Sequence, residues 1–139
     1  MLERIILVSK MPTAGARIGP AFVPCGGIGR TSAAQLTGAW ISTGAHCAEL
    51  IEGPPAGLDG VIAMLPAMRQ GQHHRLVLRE TIDSRGFGGW HTAYSGEATY
   101  VDRQIRGFLV DDFGPLSRDD AARRLSELIV QLVLAQTES

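Results

Sequence analysis

The sequence has no asparagine, few aromatic residues (6%) and only two cysteines, and it contains no long apolar run. Because a bilayer span needs about 20 apolar residues, the sequence predicts no membrane-spanning segment. The apolar residues 5–8 are too few for the apolar region of a signal peptide, and Glu3 precedes them. We therefore expect a cytoplasmic protein that does not have a membrane as its partner.

The two cysteines, Cys25 and Cys47, are far apart, and neither forms a CxxC pair or has a histidine at metal-site spacing. In a chain without an export signal such cysteines are typical of reduced thiols. The net charge is -1 and no basic run is present, which argues against nucleic acid and anionic lipid as partners. We expect neither a redox site nor a nucleic-acid interface.

The 139 residues, 45% of them hydrophobic and 19% charged, have the composition of one globular domain. Residues 4–9 (RIILVS) are apolar without strict alternation, which is typical of a central strand covered on both faces. A glycine-bearing turn at residues 43–45 separates two further strands and predicts a hairpin. The remaining strand segments are residues 35–42, 46–52, 75–82 and 90–95.

A helix is predicted directly after the third strand. Pro54 and Pro55 end the strand and begin the helix. Its apolar stripe follows helical spacing and consists of Leu58, Val61, Ile62, Leu65 and Met68. Pro66 lies inside this stripe, so the sequence predicts a kink or an early end there.

Residues 11–34 are dense in glycine and proline. Each interior glycine costs a helix about 1 kcal/mol relative to alanine, and each interior proline about 3 kcal/mol. A regular amphipathic helix is therefore not expected in this segment. The sequence predicts a short, broken helix or an ordered loop.

A C-terminal helical extension, residues 98–139, is predicted to follow a domain formed by residues 1–97. Residues 100–109 suggest a short helix, and Ser117 is placed to cap a longer one. One face of the longer helix can pack on the domain through Ala121, Leu125, Leu128, Leu132 and, at its edge, Ile129.

Val130 and Leu134 lie one turn apart on the opposite face of this helix. Their own domain is not expected to cover them, and uncovered apolar patches usually mark contacts with other molecules. The pair predicts an interaction surface for a protein partner, with a homodimer through the C-terminal helix as one form of it.

The resulting βαββαββ order predicts an α+β fold: a ferredoxin-like sheet with helices on one face, plus the C-terminal helices. Strand alternation and the helical stripe also predict which side chains form the core. These core residues are Leu7, Trp40, Leu50, Ile62, Leu65, Val77 and Phe87.

Over roughly residues 2–96 the chain resembles the BLUF family, sensors of blue light using FAD. The resemblance rests on five segments in the family's order and nearly at its spacing: RIILVS, LTGAWIS, AELIEGP, QHHR and IDSRGFGGW. Any one segment would be weak, but together they are specific. The resemblance implies the α+β fold given above and a signalling role.

In BLUF domains the flavin ring lies between two helices beside the sheet. A tyrosine on the first strand supplies an electron, and a glutamine on the third strand switches its hydrogen bonds. In this sequence the tyrosine position is Leu7 and the glutamine position is Glu49. The other positions equivalent to the family's flavin site are Arg30, Thr31, Gln70, Gln72, His73, Trp90 and Thr92. Of the whole set, only His73 and Trp90 keep the family's residue.

These replacements remove the family's flavin chemistry. Leu7 has no hydroxyl and no accessible redox couple, and an ionised Glu49 accepts hydrogen bonds but cannot donate one to a flavin carbonyl. A buried Glu49 would need a partner, for which Arg30 is a candidate, or a raised pKa. We expect no bound cofactor, with FAD in a remodelled pocket as the alternative.

Other motifs do not predict catalysis or metal binding. GGIGRT at residues 26–31 lacks the preceding strand and the lysine of a phosphate-binding loop. His73 and His74 are adjacent and have no suitably spaced third ligand. Three residue types of a catalytic triad occur without a nucleophile elbow, namely Asp83, Ser84 and His91. An acylphosphatase-like enzyme would need an asparagine, which the chain lacks. We do not expect an enzyme.

Two hypotheses therefore remain. In the first, the chain is a BLUF-like regulatory module that has lost its flavin and acts through protein–protein contacts. In the second, it is a blue-light or redox sensor that binds FAD in a remodelled pocket. The visible absorption spectrum of the purified protein distinguishes them.

Overall fold

The architecture is a five-stranded mixed sheet with helices packed on both faces, seen in a computed structural model. The residues described are 1–10, 27, 35–68, 73–96 and 98–137. The expectation of a broken helix or loop over residues 11–34 therefore lies, apart from Gly27, outside the described residues.

The strands form where the sequence predicts them, because these segments are rich in β-branched and apolar side chains. They are β1 (Leu2–Lys10), β2 (Thr37–Ser42), β3 (His46–Gly53), β4 (His74–Ile82) and β5 (Trp90–Ser95). Thr43 and His46 close the β2–β3 hairpin, with the Thr43 amide donating to the His46 carbonyl at 2.9 Å. Gly44 in this turn has a φ of 87°, which glycine adopts without strain.

The strand order across the sheet is β4-β1-β3-β2-β5. All neighbouring pairs are antiparallel except β2 and β5, which are parallel. β1 and β3 are therefore central, and the side chains in the middle of both strands are buried. This is the ferredoxin-like α+β arrangement that the sequence predicts.

Three helices complete the described part of the chain: α1 (Pro55–Met68), α2 (Thr99–Val110) and α3 (Arg118–Thr137). Pro66, where a kink or an early end is predicted, lies inside α1, whose described part runs to Met68. The predicted cap of α3 is also confirmed, since Ser117 Oγ accepts from the Asp120 amide at 3.1 Å. No helix among the residues described is long and apolar enough to cross a membrane.

Each face of the sheet has its own hydrophobic cluster. Helix α1 packs Leu58, Val61 and Leu65 against Leu7 and its neighbours on one face. Helices α2 and α3 cover the other face with a larger cluster. Its helical members are Val101, Ile105, Phe108, Leu109, Ala122, Leu125, Ile129 and Val133. The extension from residue 98 thus shares its core with the sheet.

The predicted core is confirmed in part. Four of its residues are buried: Leu7, Leu50, Leu65 and Phe87. The other three, Trp40, Ile62 and Val77, are half-buried. For Val77 the reason is its position on β4, an edge strand of the sheet.

The orientation of α3 differs from the prediction. Ile129, expected at the edge of the packed face, is fully buried and lies at its centre. Val130 is half-buried and packs against the same cluster, so the expectation that its own domain would leave it uncovered is wrong. Leu134 is 49% exposed. The face that packs contains Ala122, Leu125, Ile129 and Val133. Near the helix end, Gln136 Nε2 donates to the carbonyls of Thr92 and Ala93 on β5.

Candidate functional site

One row of side chains runs across the whole sheet and contains the two decisive positions. Leu7 on β1 faces Leu76 on β4 on one side and Glu49 on β3 on the other. Glu49 in turn faces Trp40 on β2, and Trp40 faces Thr92 on β5. Because paired residues in a sheet share a face, all five lie on the face that α1 covers.

Burial along this row is greatest at its centre. Leu7 and Glu49 are each 1% exposed. Leu76 and Trp40 are half-buried, and Thr92 at the edge is exposed. The sheet therefore has a charged residue type in its interior, directly beside an aliphatic side chain that offers no hydrogen bond.

Cys47 lies next to Glu49 on this face, two residues earlier in β3. Its Sγ is 4.0 Å from Glu49 Oε1. The expectation of a reduced thiol is wrong for Cys47, which is disulfide-bonded. The same expectation for Cys25 lies outside the described residues.

The remaining predicted site residues are only partly brought together. Trp90 is half-buried and packs at the rim of the α1-side cluster, on the same face as Thr92. His73 is exposed, and its carbonyl accepts from the Lys10 amide where β1 meets β4. Arg30, Thr31, Gln70 and Gln72 lie outside the described residues.

The segments that carry the family resemblance meet at one end of the sheet. Arg85 Nη1 donates to Thr37 Oγ1 at 2.8 Å and to the Glu52 carbonyl at 3.0 Å, and its Nη2 donates to the Gln35 carbonyl at 2.6 Å. One guanidinium thus holds the β4–β5 loop to the start of β2 and the end of β3. These Arg85 contacts lie at the end of the sheet, whereas the Leu7–Glu49 row crosses the same strands further along.

A buried ion pair adjoins this junction. The Glu52 carboxylate accepts from Arg4 Nε at 2.8 Å, from Arg4 Nη2 at 2.6 Å and from the Gly86 amide at 2.8 Å. The Glu52 side chain is fully buried and that of Arg4 is 16% exposed. Arg4 Nη1 also donates to Ser126 Oγ of α3 at 3.4 Å. The sequence analysis missed this pair, although Arg4, directly before the apolar residues 5–8, was a signal for it.

A second polar cluster joins the hairpin turn to α2. Asp102 Oδ1 accepts from Thr43 Oγ1 at 2.6 Å and lies 2.7 Å from His46 Nδ1. Partial burial raises the pKa of Asp102, but the hydrogen bonds from Thr43 and His46, with the charges of His46 and Arg106, bring this pKa below its ordinary value. No sequence motif pointed to this contact, because Asp102 is more than 50 residues away from both Thr43 and His46 in the sequence.

No catalytic or metal-binding arrangement is found in the part of the chain that the structure describes. No three histidine, cysteine or acidic side chains there could hold a metal ion. Asp83 and Ser84 are exposed, and His91 Nε2 on β5 contacts the carbonyl of Gly88 in the preceding loop. The GGIGRT segment lies outside the described residues except for Gly27.

Several solved structures of BLUF proteins have a similar fold. The dark-state structure of BlrB, a BLUF protein, has a TM-score of 0.58 and 17% identity, covering 97% of this chain and 96% of that one. The photo-activated state of BlsA has a TM-score of 0.57 and 14% identity, covering 93% and 95%. BlrP1 BLUF has a TM-score of 0.53 and 16% identity, covering 94% and 90%.

The same fold occurs within a longer protein. A bacterial light-regulated adenylyl cyclase has a TM-score of 0.51 and 17% identity, and the match covers 95% of this chain but 39% of the cyclase chain. No family model and no curated protein matches the sequence. At these identities the likeness establishes the fold: the chain has the α+β fold of BLUF domains.

Proposed function

We propose that this chain, which has the BLUF fold, is a regulatory module that has lost flavin binding and acts through protein–protein contacts. The observation that carries the proposal is the pairing of Leu7 with Glu49 at the centre of the sheet, where both side chains are 1% exposed. The resemblance implies that Leu7 and Glu49 stand where BLUF domains have the tyrosine and the glutamine of their flavin site.

Leu7 cannot take part in flavin photochemistry. Its side chain is apolar, packs with Leu58 and Val61 of α1, and holds no group that could donate an electron or a hydrogen bond. A BLUF domain without this tyrosine lacks the electron donor that the family uses. The site therefore supports no light response by the family's mechanism.

Glu49 is unsuited to hold the flavin ring. In its ionised form Glu49 only accepts hydrogen bonds, so it cannot donate to a flavin carbonyl. Each polar group left without a partner on burial costs about 1–3 kcal/mol. If flavin binding buried two or three polar groups without partners, the affinity for FAD would fall a hundredfold or more, because about 1.4 kcal/mol corresponds to a factor of ten.

The described core of the fold is formed by protein side chains. Protein side chains form a hydrophobic cluster on each face of the sheet. Arg85 and the Arg4–Glu52 pair hold the end of the sheet together. A module of this kind can present a surface to a protein partner, and the absence of a catalytic arrangement among the described residues favours binding over catalysis.

We include a homodimer through α3 among the protein contacts proposed. Leu134 is 49% exposed near the end of this helix, and Val130 lies half-buried beside it. The occurrence of this fold in a light-regulated adenylyl cyclase supports a role in which the domain acts on another protein unit.

The test is to incubate the purified protein with excess FAD, remove free ligand by gel filtration and record the absorption spectrum. We expect no flavin absorbance, whereas stoichiometric absorbance would overturn the proposal in favour of an FAD sensor. A reversible red shift on illumination would show that photochemistry survives with Leu7.

Two variants make this test sharper. Glu49→Gln restores a donor in the row and should raise FAD affinity, with a further gain from Leu7→Tyr. Glu80→Gln is the matched control, because it removes a sheet carboxylate on β4 that lies outside the row. An equal gain in Glu80→Gln would contradict the role given to Glu49.

A further inference from the structure

A cleft of about 610 Å³ lies between α2, the loop that follows it and the first turn of α3. It is separate from the Leu7–Glu49 row, because α2 and α3 cover the opposite face of the sheet. Its volume is within the range of about 300–1,000 Å³ that small-molecule sites occupy.

The cleft exists because the chain turns back sharply at the end of α2. Asp111 caps the helix in the left-handed conformation, with a φ of 56°, and the Asp112 amide donates to the Gly107 carbonyl at 3.0 Å. A side chain at position 107 would meet the Asp112 carbonyl oxygen at 2.7 Å. Glycine therefore lets the loop close over the helix and leaves space beside it.

The cleft is lined in part by aromatic and aliphatic side chains. Phe108 and Phe113 pack with their ring centroids 5.2 Å apart. Tyr100 is 66% exposed and Val110 58% exposed, and both line the cleft. Exposed large apolar side chains around a concave surface favour a ligand with an apolar body.

Three arginines surround this apolar lining: Arg103 and Arg106 on α2, and Arg124 on α3. All three are exposed, and none forms an ion pair with an acidic side chain among the residues described. Arg106 acts on Asp102 through its charge alone. Asp112 is the one acidic residue in the lining. The cleft thus has an excess of positive charge that its own residues do not neutralise.

We propose that this cleft binds a small organic anion with an aromatic or other flat apolar body and a carboxylate, phosphate or sulfonate group. The guanidinium groups recognise planar or tetrahedral oxyanions through paired hydrogen bonds. The apolar body lies against Phe113 and Val110. Because three arginines and one acidic residue line the cleft, a cationic ligand would be repelled. A neutral ligand would gain no charge attraction from the arginines.

The probe that tests this is 8-anilinonaphthalene-1-sulfonate, whose fluorescence rises on binding, compared with N-phenyl-1-naphthylamine, its neutral analogue without the sulfonate. We expect one sulfonate probe per chain and weaker binding of the neutral analogue. Arg124→Gln and Arg103→Gln should each weaken the sulfonate probe about tenfold, because each removes a charged hydrogen-bond donor.

The matched control is Arg123→Gln, next to Arg124 on α3 but outside the cleft. The Arg123 side chain is 72% exposed, and its ion pair with Asp120, at 3.9 Å, is a weak surface contact. Because Arg123 does not line the cleft, Arg123→Gln should leave the affinity for the probe unchanged. Equal effects of Arg123→Gln and Arg124→Gln would overturn the proposal, as would a neutral analogue that binds as tightly as the sulfonate.

A second variant tests the location without changing any charge. Ala121→Trp fills the cleft from α3, where Ala121 is half-buried in the lining. It should abolish binding of the probe while the far-ultraviolet circular dichroism and the melting temperature stay near those of the wild type. If the filled variant keeps its fold and still binds the probe, the site lies elsewhere and the proposal fails.

Discussion

Arg4 and Glu52, 48 residues apart, form a two-pronged ion pair in which the Glu52 carboxylate is fully buried. Removing one partner of a buried pair leaves the other charge uncompensated and costs about 3–5 kcal/mol. Arg4 retains some exposure and a second acid, Glu80, at 3.7 Å. We therefore expect Glu52→Gln to lower the free energy of unfolding toward the lower end of that range.

Urea denaturation checks this prediction, with Glu3→Gln as its control. Glu3 pairs with Arg79 at 2.8 Å in a more exposed setting, where the Arg79 side chain is 34% exposed. Such pairs contribute about 0–1 kcal/mol. Equal losses in the two variants would show that burial of Glu52 adds nothing.

Arg85→Lys should destabilise the protein by about 2 kcal/mol or more, although the charge is kept. The guanidinium donates to three acceptors on Thr37, Glu52 and Gln35, and a lysine ammonium cannot reproduce this fork. Hydrogen bonds from charged groups contribute about 1.5–3 kcal/mol each. Thermal and urea unfolding measure the loss, and Arg118→Lys, at an exposed position on α3, should change neither.

The Asp102 contact makes part of the stability depend on pH. The pKa of Asp102 is lowered in the folded chain, so its contribution is present above the ordinary value of 3.8 and is lost as the pH falls through the folded pKa. Asp102→Asn should thus be less stable than wild type at pH 7, and the difference should shrink below about pH 4.

Unfolding curves collected from pH 7 to pH 3 measure this difference. Asp119→Asn is the control, because Asp119 is exposed in the first turn of α3 and is not part of the Thr43–His46 cluster. A difference between wild type and Asp102→Asn that stays constant down to pH 3 would refute the pH dependence.

Two glycine substitutions should have opposite effects on stability. A methyl group at Gly38 would clash with the Leu50 carbonyl oxygen, so Gly38→Ala must push β2 away from β3 and should be strongly destabilising. At Gly60, exposed within α1, nothing lies within 4 Å of an added methyl group. Gly60→Ala should stabilise the protein by about 0.5–1 kcal/mol. The melting temperatures of both variants test the pair.

Leu134→Asp should convert a dimer into a monomer if α3 forms the proposed interface. Leu134 is exposed, whereas Val130→Asp would also disturb the core against which Val130 packs. Sedimentation velocity gives the mass, and Gln131→Asp, at an exposed position on the same helix, adds the same charge as a control. A monomeric wild type would end the homodimer proposal and leave other protein partners.

Much of the fold follows from the sequence because local patterns report local structure. Apolar runs such as RIILVS placed β1, and the turn residues at 43–45 placed the hairpin. The replacement of the family's tyrosine and glutamine by Leu7 and Glu49 is likewise a matter of residue identity. These identities alone limit the chemistry that the site can perform, since a side chain's donors and acceptors do not depend on the fold.

The tertiary structure decided which residues meet and how deeply they are buried. Arg4 with Glu52, Thr43 with Asp102, and the arginines of the α2–α3 cleft are brought together by long-range closure of the chain, which periodicity does not record. The face of α3 that packs against the sheet is centred on Ile129. Helical spacing defines candidate faces, but the free energy of packing against the sheet selects among them.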